Sequence, residues 1–198
     1  MDELILVDLD DRPVGYMNKE ETHRRGRLHR AFSVFIISGG RMLLQKRSRA
    51  KYHSGGLWAN ACCSHPRKGE ELAEAVHRRL REELGMDTGL TELFQFVYRT
   101  KFREDLYEYE LDHVFLGSYE GEPVCNPEEI EELRWVSLPA LKEELVQHPG
   151  HFSSWFIIAA PRVMAWAEQR ADGAARFLPG KFLPAEDRTG GRPNHVDL

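Results

Sequence analysis

The residues most able to do chemistry begin at Asn60-Ala61-Cys62-Cys63-Ser64-His65-Pro66. Pro66 biases His65 away from the helical region, so the stretch ends extended. Alternate side chains of an extended chain share a face, which sends Cys63 and His65 one way and Cys62 and Ser64 the other. A thiol and an imidazole two residues apart on one face can form a nucleophile pair, a metal site or an acid–base device. A second set lies in the stretch from Leu106 to Leu116. There Glu108, Glu110 and Asp112 alternate onto one strand face, and Tyr107, Tyr109 and Leu111 onto the other. Taken singly, each of these groups reads as structural: a lone histidine is more often a packed residue than a ligand, and strand carboxylates usually face solvent.

Just after His65 the chain turns helical. Leu72, Val76, Leu80 and Leu84 recur every four residues, and Gly85 stands where a left-handed C-terminal glycine belongs. The other face carries Glu70, Glu74, Arg78, Arg79, Arg81, Glu82 and Glu83. A solvated face laced with pairs four apart, Arg78 to Glu82 and Arg79 to Glu83, would account for such a helix. The order of residues says more. Glu70, Arg78, Leu80 and the run Glu82-Glu83-Leu84-Gly85-Met86 resemble the Nudix box, a loop–helix motif whose carboxylates hold divalent metal against a diphosphate. Two positions depart from it: Ser64 stands where the family has its first glycine, and Arg79 where a glutamate normally follows the arginine. The lost carboxylate weakens a hydrolase reading, while a planar guanidinium still suits phosphate oxygens.

Together with Trp58-Ala59-Asn60-Ala61-Cys62-Cys63-Ser64-His65-Pro66, the altered box resembles the type I isopentenyl-diphosphate isomerases, and the resemblance runs from Leu4 to Ala167. It implies an α+β fold, a Nudix-type α/β/α sandwich with a central mixed β-sheet. It also implies a five-residue site, His23, His29, His65, Glu108 and Glu110, holding one divalent transition ion. Three imidazoles and two carboxylates suit Mn²⁺, Zn²⁺ or Fe²⁺ better than Ca²⁺. The family's diphosphate contacts fall on Lys19, Arg47, Lys51 and Arg79, with Glu83 reaching a Mg²⁺ ion bound together with the substrate. Its catalytic groups fall on Cys63, Glu110, Tyr98 and Trp155.

The implied reaction converts isopentenyl to dimethylallyl diphosphate. A proton is added to an unactivated alkene, and another is removed from the far side of the cation that results. An alkene is a very weak base, so this needs a strong acid and a site without water. The resemblance gives Glu110 and Tyr98 one end of that transfer and Cys63 the other, with the Trp155 ring face beside the tertiary cation. A Nudix hydrolase of a nucleoside or prenyl diphosphate is the competing enzyme reading. A catalytically silent Nudix-like module, using metal only for stability, is the non-enzyme one.

These groups need elements to hold them. Leu4–Val7 and Val14–Tyr16 read as strands around the turn Asp10-Asp11-Arg12-Pro13. Asn18 caps a short helix with Glu21 three residues on, and that helix carries Lys19 and His23. Arg30–Ser38, Gly39-Gly40 and Met42–Lys46 read as a hairpin. Residues 47–57 form a basic loop with Arg47, Arg49, Lys51 and His53, placed to meet phosphate. Strands follow at Glu92–Arg99 and Leu106–Leu116, another ends at Trp135-Val136, and a helix spans Leu138–Gln147. Ser153–Ala171 reads as a helix kinked or split at Pro161. One domain is expected over 1–177, with a loose tail over 178–198.

The formal net charge of −5 argues against a general nucleic-acid binder but leaves room for a local basic pocket. Three cysteines, two of them adjacent, fit no disulfide framework and point to a reducing compartment. The N-terminus lacks the basic and apolar regions of a signal peptide, and no 18-residue apolar run is present. The expectation is a cytoplasmic enzyme, a monomer or weak dimer, acting on a small prenyl diphosphate without nucleic acid or membrane.

Overall fold

A ten-residue strand rich in Phe, Val and Ile, β3 (His29–Ser38), is the spine of the molecule, a computed structural model that describes residues 3–51, 53–171 and 182–185. Along one edge β3 runs parallel to β8 (Leu106–Gly117), from His29 opposite Glu110 to Ile36 opposite Gly117. Its other edge is shared in turn by β1 (Glu3–Val7), β6 (Cys62–Ser64) and β4 (Arg41–Arg47), each antiparallel. β2 (Pro13–Asn18) extends the sheet beyond β1, and β7 (Leu90–Arg103) extends it beyond β8. A second branch is centred on β4, which pairs with β5 (Trp58–Asn60) and β9 (Ile130–Ser137). The parallel and antiparallel pairs together make the expected mixed sheet.

Strand alternation divides the apolar residues into two cores. Phe32, Val34 and Ile36 of β3, with Leu43 of β4 and Phe115 of β8, pack under α2 (Leu72–Leu84). Phe35, Met42, Leu44 and Val114 point the other way, towards α3 (Leu138–Gln147) and α4 (Ser154–Ala171). Helices on both faces of one sheet give the α/β/α sandwich. α2 buries Ala75, Val76, Leu80 and Leu84 completely, and each such leucine is worth about 2 kcal/mol of transfer free energy. Glu71 and Glu74 form a reciprocal capping box at its start, and Gly85 ends it at φ +60°.

Two expectations are corrected. Of the two outcomes expected at Pro161, a kink or a split, the split is overturned: α4 is one helical element running through it. Pro161 cannot donate to the Ile157 carbonyl, but both residues lie on the exposed side of the helix, where water can serve that carbonyl. The tail is not loose throughout. Phe182–Leu183 forms β10, antiparallel to β7, with Leu183 buried in the core beside α2. The rest of 178–198 lies outside the described residues apart from Pro184 and Ala185. None of the described helices is long and apolar enough to cross a membrane.

Candidate metal and catalytic site

α1 (Lys19–Arg25) brings the first ligand candidate inward. Asn18 accepts the Glu21 amide at 2.9 Å as N-cap, and Gly26 ends the helix at φ +57°. A Cβ on Gly26 would meet Tyr107 at 3.3 Å, so the turn that leads to His29 needs glycine for both reasons. His23 donates from Nδ1 to the Lys19 carbonyl at 2.6 Å, and His29 from Nδ1 to the Arg27 carbonyl at 2.9 Å. A carbonyl only accepts, so Nδ1 of both rings carries the proton and both Nε2 atoms face the interior.

What those nitrogens face is one another and two carboxylates. His23 Nε2 lies 3.2 Å from Glu108 Oε1, and His29 Nε2 lies 3.5 Å from Glu110 Oε1. His65 Nε2 sits 3.2 Å from His29 Nε2 and 2.7 Å from Glu110 Oε1. Ligand atoms of His23, His29, His65, Glu108 and Glu110 all fall within 4.8 Å of one another. Glu108 Oε2 is buried without a hydrogen-bond partner. Lone pairs converging on one point repel unless a cation lies among them, so the donor set fits a divalent ion held by nitrogen and oxygen ligands. The backbone hydrogen bonds of His23 and His29 are the outer contacts that would orient such ligands.

Burial and pairing then set the proton affinities. Burial and the neighbouring Glu110 charge push Glu108 up to about 7. Burial acts the same way on Glu110, but its pairing with His29 and His65 outweighs it and holds this carboxyl well below the usual range. Burial lowers His65 to about 4 despite the Glu110 partner. Tyr98, the β7 residue paired across the ladder with Glu110, donates its hydroxyl to Glu110 Oε2 at 2.5 Å. Burial raises that phenol well above its ordinary range. Burial also lifts the Cys63 thiol to about 12, although Arg47 Nη1 lies 3.6 Å from its sulfur.

The adjacent cysteines part as the alternation requires. At Ala61 the chain leaves β5, paired to β4, and enters β6, paired to β3. Cys62 packs into the core under α2, while Cys63 and His65 line the cavity. Ser64, expected beside Cys62, also reaches the cavity wall, because β6 ends there. Asn60 secures the crossing by donating to the Val34 carbonyl at 3.1 Å and the Cys62 carbonyl at 2.7 Å. Its Oδ1 accepts the Trp155 indole N–H at 3.1 Å, which fixes that ring in the first turn of α4.

Lys19, Arg47, Lys51 and Arg79 converge on the same cavity from α1, β4, the loop after it and α2. The Arg47 guanidinium stands 5.1 Å from the Trp155 ring centre. Lys51 pairs with Glu129, and Arg79 with Glu82, Glu83 and Glu129. Glu83 lies behind Arg79 and is not among the cavity-lining residues. Its Oε1 takes Arg79 at 2.5 Å and its Oε2 takes the Gln45 amide at 3.5 Å. A Mg²⁺ ion reaching Glu83 would share it with Arg79.

Sequence reasoning missed the roles of two participants. His53 lies 2.6 Å from Glu108 Oε1, and Glu129 supplies the partner of two clamp cations. The only signal for His53 was its place in the basic loop. Glu129 had none, sitting in an acidic run that reads as surface.

The layered fold and the box helix are those of a NUDIX domain, whose family model matches residues 27–156. At the level of fold, the chain is similar to DR0079 of Deinococcus radiodurans, with TM-score 0.61 and 22% identity over 74% of this chain and 90% of that one. In sequence it is 49% identical to isopentenyl-diphosphate Delta-isomerase 2 of Aromatoleum aromaticum, over 92% of this chain and 97% of that protein. It is 43% identical to the isopentenyl-diphosphate Delta-isomerase of Serratia proteamaculans, over 86% of this chain and 99% of that one. The chain belongs to the isopentenyl-diphosphate Delta-isomerase family of NUDIX proteins.

Proposed function

We propose that the protein interconverts isopentenyl and dimethylallyl diphosphate by moving protons on carbon. What carries this reading is the buried Tyr98–Glu110 pair, which lines one cavity with the Cys63 thiol and four cationic side chains. Lys19, Arg47, Lys51 and Arg79 grip the diphosphate, and the prenyl chain lies between the β8 and β6 residues that flank β3. Protonation of the alkene and deprotonation of the tertiary cation are divided between Glu110 with Tyr98 on one side and Cys63 on the other. The Trp155 face, held by Asn60, lies where π density steadies the cation. Burial of the acid–base groups excludes the water that would trap it.

A divalent transition ion, Mn²⁺ or Zn²⁺, held by His23, His29, His65, Glu108 and Glu110 would supply positive charge that fixes the Glu110 carboxylate and raises its acidity, and a Mg²⁺ ion bound through Glu83 would offset diphosphate charge. The working unit is one domain, residues 1–177 together with the β10 strand of the tail that pairs with β7. Its free cysteines fit a cytoplasmic setting and its net charge of −5 speaks against nucleic acid as a partner; we take it to act as a monomer or weak dimer away from the membrane. A direct assay tests the reading. Isopentenyl diphosphate with Mg²⁺ should give dimethylallyl diphosphate in a mixture that stops at the same ratio from either side. Cleaved diphosphate as the main product would favour a hydrolase.

A further inference from the structure

His53 belongs to the loop after β4, yet its side chain lies deep in the site. Its Nε2 is 2.6 Å from Glu108 Oε1, the oxygen that also faces His23. Its Nδ1 lies 3.4 Å from Ser54 Oγ. The ring is held on both sides: it stacks on Phe102 from the β7–β8 hairpin, with centres 4.9 Å apart, and stands edge-on to Trp155. Its carbonyl accepts from Arg47 Nη2 at 3.5 Å, which links it to the cation clamp.

From this geometry we infer that His53 is a positioning residue for the metal centre: it holds the Glu108 carboxylate so that Oε2 is turned towards the histidine cluster. The inference rests on the metal-centre reading above. Glu108 Oε2 lies 4.0 Å from His29 Nε2 and has no hydrogen-bond donor, whereas Oε1 has the His53 ring beside it. A carboxylate with Oε1 tied down by His53 beside His23, and Oε2 left without a donor on the His29 side, is oriented as a ligand should be. The loop that reaches for diphosphate with Lys51 therefore also completes the outer shell of the ion. Ring packing against Phe102 leaves His53 little freedom to swing away.

The test uses the purified full chain, stripped by chelator and titrated with Co²⁺, and with Mn²⁺ in competition with a chromophoric chelator. His53→Leu keeps the apolar packing and removes the donor, so affinity should fall about tenfold to a hundredfold, while the Co²⁺ absorption bands keep their pattern. His53→Gln, whose amide can reach Glu108, should recover most of the loss and serves alone if the leucine variant does not fold. Unchanged affinity in His53→Leu, or His53→Gln as weak as His53→Leu, overturns the inference. A changed Co²⁺ band pattern also overturns it, since His53 would then be a ligand itself. Glu108→Gln separates the two levels. If that variant also binds like wild type, or wild type binds neither ion, the metal-centre reading itself fails and the inference falls with it.

Discussion

Tyr98 and Glu110 stand directly opposite each other in the β7–β8 ladder, and the two oxygens of Glu110 have different partners. Oε2 accepts the Tyr98 hydroxyl, while Oε1 faces His65 and His29. One carboxylate thus joins the metal cluster to the acid–base chemistry, and its cross-strand neighbour holds it there. Tyr98→Phe removes the hydroxyl but keeps the ring stacked on Phe96, 5.6 Å between centres. Steady-state kinetics should show kcat reduced by about 10²-fold with KM little changed, and the melting temperature should stay near that of wild type. An unaltered kcat would remove Tyr98 from the reaction.

The cysteine pair offers a comparison within two adjacent positions. Cys62→Ala trims a buried contact beside α2 and should cost about 1 kcal/mol in denaturant unfolding, with turnover kept. Cys63→Ala should fold normally and lose turnover by orders of magnitude. The reverse pattern would contradict the alternation on which the site is built.

Stability should depend on pH through His113. This β8 residue lies 2.7 Å from Glu92 on β7 and 3.1 Å from Asp11 in the β1–β2 turn, and Asp11 also takes Arg30. Burial alone would lower His113, but the two carboxylates raise it to about 9 from an ordinary 6.5. A group raised on folding stabilises fully below its unfolded pKa and loses that contribution as pH climbs through the folded one. Unfolding free energy should therefore fall between pH about 6.5 and about 9, by on the order of 3 kcal/mol. His113→Gln should flatten that stretch of the curve, and an equally steep fall in the variant would exclude His113 as its source.

Leu183 should matter although it lies past a stretch that looks like an unstructured tail. It pairs with Leu90 on β7 and is buried in the core cluster that also holds Phe115 and Leu84. Leu183→Ala should cost about 2 kcal/mol in chemical denaturation and leave kcat alone. No change in stability would mean that β10 contributes nothing to the core.

Legibility followed the range of the forces involved. Local periodicity revealed α2 with its Gly85 cap, the β3–β4 hairpin, and the shared face of Glu108 and Glu110. Resemblance then picked out His23, His29 and His65, which the fold places together from α1, β3 and the end of β6. What stayed hidden depends on distant partners. His53 and Glu129 enter the site only because the loop after β4 folds over β8 and the segment before β9 approaches α2. β10 is two residues long and has no pattern of its own, only an edge of β7 to join. Pro161 does not split α4 because a solvent-facing carbonyl tolerates the donor that proline lacks.

The most direct test of the central claim, that this site moves protons on carbon and leaves the diphosphate whole, is turnover in D₂O followed by ¹H and ³¹P NMR. Isopentenyl diphosphate with the protein and Mg²⁺ should yield dimethylallyl diphosphate carrying solvent deuterium, with no phosphate or pyrophosphate beyond slow loss from the allylic product. Glu110→Gln should abolish deuterium uptake while substrate still binds, because Lys19, Arg47, Lys51 and Arg79 are untouched. Rapid phosphate release without deuterium on carbon would contradict the account.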